Sequence, residues 1–164
     1  MMRVCRGLIA MMLVAAVTAC GWNRWLWRGT PLQAVELGRA QLCADGQDGV
    51  RVRWFDTAAD VRLWQQQTGV DLRLKTIPER GRYVLIELGQ RNTGGYGIAV
   101  SREARLLGTT LHLYATFFAP APGAMTVQMI TSPCVLVHLP EADFAAIEVY
   151  DQEGRLRASA NRPG

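Results

Sequence analysis

The stretch Thr109-Thr110-Leu111-His112-Leu113-Tyr114-Ala115-Thr116-Phe117-Phe118 sets Thr110, His112, Tyr114 and Thr116 against Leu111, Leu113, Ala115 and Phe117. Successive side chains of an extended chain point to opposite sides, so this alternation reads as a strand with one buried and one wet face. Such a strand needs a sheet, and the apolar side of the sheet needs a second layer. Upstream, Tyr83 to Leu88 and Tyr96 to Val100 read as strands joined by the loop Gly89-Gln90-Arg91-Asn92-Thr93-Gly94-Gly95. Downstream, the stiff loop Ala119-Pro120-Ala121-Pro122-Gly123 leads into Met125 to Ile130 and, past the Ser132-Pro133 break, into Val135 to Leu139. A final hairpin joins Ala146 to Tyr150 with Arg155 to Ala158 around Asp151-Gln152-Glu153-Gly154. Nearer the N-terminus, Gln33 to Leu42 and Val50 to Trp54 flank the turn Asp45-Gly46-Gln47-Asp48-Gly49.

One segment departs from this pattern. From Asp56 to Gly69, Ala58, Val61 and Trp64 recur at helical spacing between an aspartate N-cap and a closing glycine. This predicts a helix of about three turns with Trp64 as a core plug. About eight short strands and one short helix imply a mainly β fold, an antiparallel β-sandwich of immunoglobulin-like character.

The first residues have a different purpose. Met1 to Arg6 carries two arginines and no acid, and Gly7 to Val17 is apolar throughout. This is the n-region and h-region of a signal peptide, and it is shorter than the roughly 20 apolar residues a spanning helix needs. Val17-Thr18-Ala19-Cys20 resembles a lipobox, with valine where leucine is usual. The reading is a signal peptide over 1–19, cleavage before Cys20, and diacylglycerol and an acyl chain on that cysteine. An ordinary secretory cut at the same bond is the alternative. Trp22, Trp25 and Trp27 follow at once, residues suited to the headgroup zone of a bilayer, so 20–31 reads as a Trp-rich tether reinforcing the lipid anchor. A single domain then occupies 32–164. Gly21 rather than Asp after Cys20 favours the outer over the inner membrane, with the domain facing the periplasm.

Charge and cysteine usage agree with that compartment. Removing Arg3 and Arg6 takes 18 basic residues to 16 against 14 acidic ones, a net charge of +2, and the arginines are scattered, which argues against nucleic acid as a partner. After Cys5 is removed and Cys20 lipidated, Cys43 and Cys134 remain. In an oxidising space they either form a disulfide or sit apart as small buried hydrophobes, and sequence leaves both open.

Val84 to Ile98, with its Thr93-Gly94-Gly95-Tyr96 turn, and Pro120 to Val137, with Pro120-Ala121-Pro122-Gly123-Ala124-Met125, together resemble the C-terminal domain of the protease complex subunit PrcB family. The likeness covers 84–139. It implies a small secreted or lipid-anchored β domain, accessory to a surface protease assembly or bound to another envelope protein. Cys134 stands where that family more usually has an aromatic residue.

Two loops are the candidate recognition elements: Asn92, Thr93, Gly94, Gly95 and Tyr96 in one, Pro120, Pro122 and Gly123 in the other. Loops on a rigid scaffold concentrate binding, although a glycine turn can equally be a requirement of the fold. The first loop also resembles the inhibitory loop of chagasin-type cysteine protease inhibitors, without its proline and second threonine, so inhibition is the alternative reading. An enzyme ranks last. His112 and His138 each fall inside a strand pattern, and Ser101, Ser132 and Ser159 lack a nucleophile elbow. No residue set reads as catalytic, none as metal-ligating, and no cofactor is expected beyond the lipid on Cys20.

Overall fold

The computed structural model describes residues 29–43 and 47–162. The signal peptide, Cys20, Trp22, Trp25, Trp27 and nearly all of the tether lie outside these residues, as does part of the expected 45–49 turn.

Two sheets face each other. One is ordered β1 (Thr30–Gln33), β5 (Gly97–Leu107), β6 (Thr110–Phe118), β8 (Ala146–Tyr150) and β9 (Leu156–Asn161). The other is ordered β2 (Val35–Ala40), β7 (Cys134–Leu139), β4 (Arg82–Glu87) and β3 (Arg51–Phe55). Among the described residues the fold is a mainly β, sandwich-like pair of sheets with one short helix; β6 pairs with β8 in parallel, while β2–β7, β3–β4, β4–β7, β5–β6 and β8–β9 pair antiparallel.

The alternation in β6 works as expected. Leu111, Leu113 and Ala115 are buried, and they meet Val84, Ile86, Val135 and Val137 of the other sheet in a core that also holds Trp54, Phe144, Ile147 and Val149. β4 shows no alternation because both of its faces are covered. Its even positions face the partner sheet, while Tyr83 and Leu85 face a second core containing Phe55, Val61, Trp64, Leu72 and Leu136. The cover over that second core is helix α1 (Ala58–Thr68) with the segment that follows it.

Helix α1 presents Ala58, Val61 and Trp64 inward, and Gly69 closes it in the left-handed region at φ 72°. Its N-cap is Thr57 rather than the expected Asp56. Thr57 and Asp60 form a reciprocal capping box, while Asp56 accepts a hydrogen bond from Trp54 Nε1 and sits near Arg82 and Arg162.

Three further expectations need correcting. Gln33 to Leu42 is not one strand: the chain crosses between sheets at the buried Ala34, giving β1 and β2. The strand expected at Tyr96–Val100 begins at Gly97 and continues to Leu107 through a register irregularity between Val100 and Ala104, which shifts the phase of the pattern. Met125–Ile130 has strand-like sequence but joins neither sheet. Cys43 and Cys134 are placed as a disulfide pair, Cα atoms 5.9 Å apart, tying the end of the β2 segment to the start of β7.

Candidate protein-recognition site

Strand register brings the two candidate loops together. Gly97 pairs with Phe118, so the residues before 97 and after 118 are neighbours. Glu87 pairs with Cys134, so the residues after 87 and before 134 are neighbours as well. The long 119–133 connection therefore has to run beside the 88–96 loop at one end of the sandwich.

Hydrogen bonds fix that arrangement. Arg91 and Thr131 exchange backbone bonds of 2.7 and 2.9 Å, Gly94 N–H donates to the Val127 carbonyl at 2.9 Å, and Thr131 Oγ1 donates to the Thr93 carbonyl at 2.9 Å. Gly95 has φ +88°, and a Cβ there would sit 3.3 Å from Pro120 Cβ and 3.6 Å from Thr126 Cγ2. Gly94 has no positive φ, and its nearest neighbours would be 3.7 Å away. Glycine is thus required at position 95 but not at 94. Tyr96 is half-buried, with its ring against the core between the sheets and the Arg91 guanidinium 5.6 Å from its centroid. Arg91 is itself held by the carbonyls of Leu88 and Gln90. Asn92 is exposed, as are Pro122 and Gly123, while Pro120 is half-buried.

The sequence reading missed the largest feature of this end. Met125, Val127, Met129 and Ile130 are 51 to 103% exposed, and Phe118 and Leu42 are 50 and 60% exposed. No Asp, Glu, Lys or Arg occurs between Arg105 and Glu141, or between Arg91 and Arg102. Apolar side chains held outward along a stretch with no charged residue of its own are a signature of the buried centre of a protein interface.

Residues 82–140 match the PrcB C-terminal family model. The match runs from the first residue of β4 to just past β7, so it takes in both loops and the exposed segment between Phe118 and Thr131. No curated protein and no solved structure matches the chain. Helix α1, β1 to β3 and the β8–β9 hairpin lie outside the PrcB C-terminal match.

The histidines lie elsewhere. His138, within the PrcB C-terminal match on β7, is hydrogen-bonded through Nε2 to the Arg80 carbonyl at 2.8 Å and packs on Tyr83. Tyr83 donates its hydroxyl to the Pro78 carbonyl. His112 lies on the outer face of the other sheet, stacked on Tyr150 with Nε2 3.5 Å from Glu148. The hydrogen bond from Tyr150 to Glu148 at 2.6 Å, with burial and the carboxylate charge, pushes the Tyr150 pKa up to about 12. That phenol is held protonated, the opposite of what a nucleophile or base needs. Among the described residues no group of three His, Cys, Asp or Glu could hold a metal ion, and no helix is long and apolar enough to cross a membrane. A groove of about 500 Å³ lies between Gly38–Leu42 and Gly69–Arg73.

Outside the PrcB C-terminal match, Asp151 organises the β8–β9 turn. Its carboxylate accepts from the backbone N–H groups of Glu153 and Arg155 and from the Arg155 and Arg157 side chains. Burial alone would raise its pKa, but these bonds, with Arg155 foremost, bring it down from 3.8 to about 2. A folded-state pKa below the unfolded one gives stability that is fully present above the unfolded value and lost as pH falls toward the folded one. The turn is therefore expected to weaken between about pH 4 and pH 2. Asp151→Asn should remove that part of the acid dependence, as read by amide exchange at Asp151–Arg155 across the range.

Proposed function

We propose that the chain is a lipid-anchored, non-enzymatic accessory module of the bacterial envelope. In this reading it is cut before Cys20, acylated there and steadied by Trp22, Trp25 and Trp27. It faces the periplasm, with the outer membrane favoured over the inner by Gly21. Its partner is a secreted or surface protease. The observation that carries the reading is the exposed, uncharged segment Met125–Ile130 bonded against the Asn92–Tyr96 loop, within the residues that match the PrcB C-terminal family. The absence of a nucleophile–base pair around His112 and His138 fits binding better than chemistry.

Two measurements test it. Metabolic labelling with a palmitate analogue should mark the protein, and Cys20→Ser should abolish the mark; a labelled Ser variant would refute the anchor. Partner capture from native membranes should fall for Tyr96→Ala by more than stability explains. Truncating this half-buried ring is expected to cost about 2 kcal/mol, less than a fully buried aromatic. Gly94→Ala should leave both readouts unchanged, whereas Gly95→Ala should cost about 1 kcal/mol because its backbone lies in the left-handed region. Stoichiometric inhibition of a papain-type protease by the purified domain would replace the accessory reading with the inhibitory one.

A further inference from the structure

We propose that Met125–Ile130 is a strand-docking edge that takes up an extended, uncharged segment of the partner protein; this rests on the accessory reading and specifies its mode of contact. Three observations carry it. The first is pattern: Met125, Val127 and Met129 alternate with Thr126 and Gln128, the period of a strand. All three apolar members point to solvent, although such residues normally mark the buried side.

The second is the backbone. On one edge, the segment is bonded to the 91–94 loop through Thr131 and Val127. On the other, Cys43 N–H donates to the Ser132 carbonyl and Ser132 N–H to the Gln41 carbonyl, so the 41–43 stretch fills the edge only as far as Ser132. Before that point the N–H groups of Thr126, Gln128 and Ile130, which in an extended chain face this edge, donate to no atom of the described residues, whereas Val127 faces the 91–94 loop and its carbonyl also takes the Met129 N–H at 3.0 Å. An added strand would supply carbonyls to those N–H groups.

The third is charge, and it selects the occupant. Surfaces that lie on anionic bilayers combine apolar side chains with Lys and Arg. From Leu106 to Pro140 there is neither, nor any acid. A neutral protein segment fits this stretch, whereas a lipid headgroup layer would meet only Arg91, whose guanidinium is already held by the Leu88 and Gln90 carbonyls beside the Tyr96 ring.

The test uses the mature chain with its own residues and three probes. The first probe is a neutral hexapeptide alternating valine and threonine. It should slow amide exchange at residues 126–130, while a copy N-methylated at every residue should not, since methylation then removes the backbone donors of both edges. Val127→Asp should weaken the hexapeptide by at least tenfold. Equal binding of the N-methylated peptide, or no protection by either, overturns the proposal. Anionic phospholipid vesicles are the second probe and should leave these amides unprotected; protection by vesicles assigns the edge to a membrane instead. Sedimentation of the chain alone is the third, and a dimer abolished by Val127→Asp would assign it to a second copy. A photo-crosslinker at Val127 and another at Asn92, in native membranes, separate this proposal from the reading beneath it. Linkage of one protein at both sites, through an uncharged stretch at Val127, supports strand addition. Linkage at Asn92 alone keeps the accessory reading and overturns strand addition. Linkage at neither site overturns both.

Discussion

Reducing the Cys43–Cys134 bond is expected to lower the stability of the domain by up to about 4.6 kcal/mol, the value the chain-entropy account gives for a cross-link of this span. The two cysteines are 91 residues apart in sequence, and their Cα separation of 5.9 Å lies inside the range a disulfide accepts. Both side chains are buried in the core beneath α1, beside Leu136 and Tyr83. Reduction therefore leaves two apolar thiols in place and isolates the cross-link itself. Cys134→Ser adds a buried hydroxyl and should cost more than Cys134→Ala. Equilibrium unfolding with and without reductant gives the magnitude. Thiol counting on the unfolded, unreduced protein gives the state, and two free thiols would rule the bond out.

Trp64→Ala is expected to cost about 3–5 kcal/mol, as large aromatic truncations in cores do, and to lower the melting temperature by on the order of 10 °C. Trp64 is 7% exposed and lies with its ring centroid 5.9 Å from that of Phe55. It is the largest side chain by which α1 seals the outer side of β4 and β7. Leu63, one residue earlier, is 51% exposed and serves as the control: Leu63→Ala should change stability by less than about 1 kcal/mol. A thermal unfolding series on the three proteins checks both values. Similar small losses for both variants would mean that α1 is not docked through its Ala58–Val61–Trp64 stripe.

These two predictions also show which parts of the fold the sequence reveals. The α1 stripe was legible because helical spacing and the capping glycine agree, and β6 because its alternation matches a sheet with one wet face. Ser101–Leu107 was not. The irregularity between Val100 and Ala104 breaks the period there, and most of that stretch faces water, so its charged residues give no strand pattern. Met125–Ile130 misled in the opposite direction. Alternating β-favouring residues report what a segment would do with a strand partner, and no strand of either sheet pairs with it. Glycine and proline chemistry marks the two candidate loops but not the apolar strip between Phe118 and Thr131. Pattern alone assigns such residues to the interior.

The prolines around that strip limit what it can become. A short, neutral, β-favouring segment with an open edge and no proline of its own is the kind from which stacked fibrils grow. Pro120 and Pro122 stand on one side of Met125–Ile130 and Pro133 on the other. None of the three has an N–H to extend a ladder, so growth along the chain halts within a residue or two of Thr131 and within a few of Ala124. The prolines act as gatekeepers, permitting one short strand to be added and denying the longer run that aggregation would need.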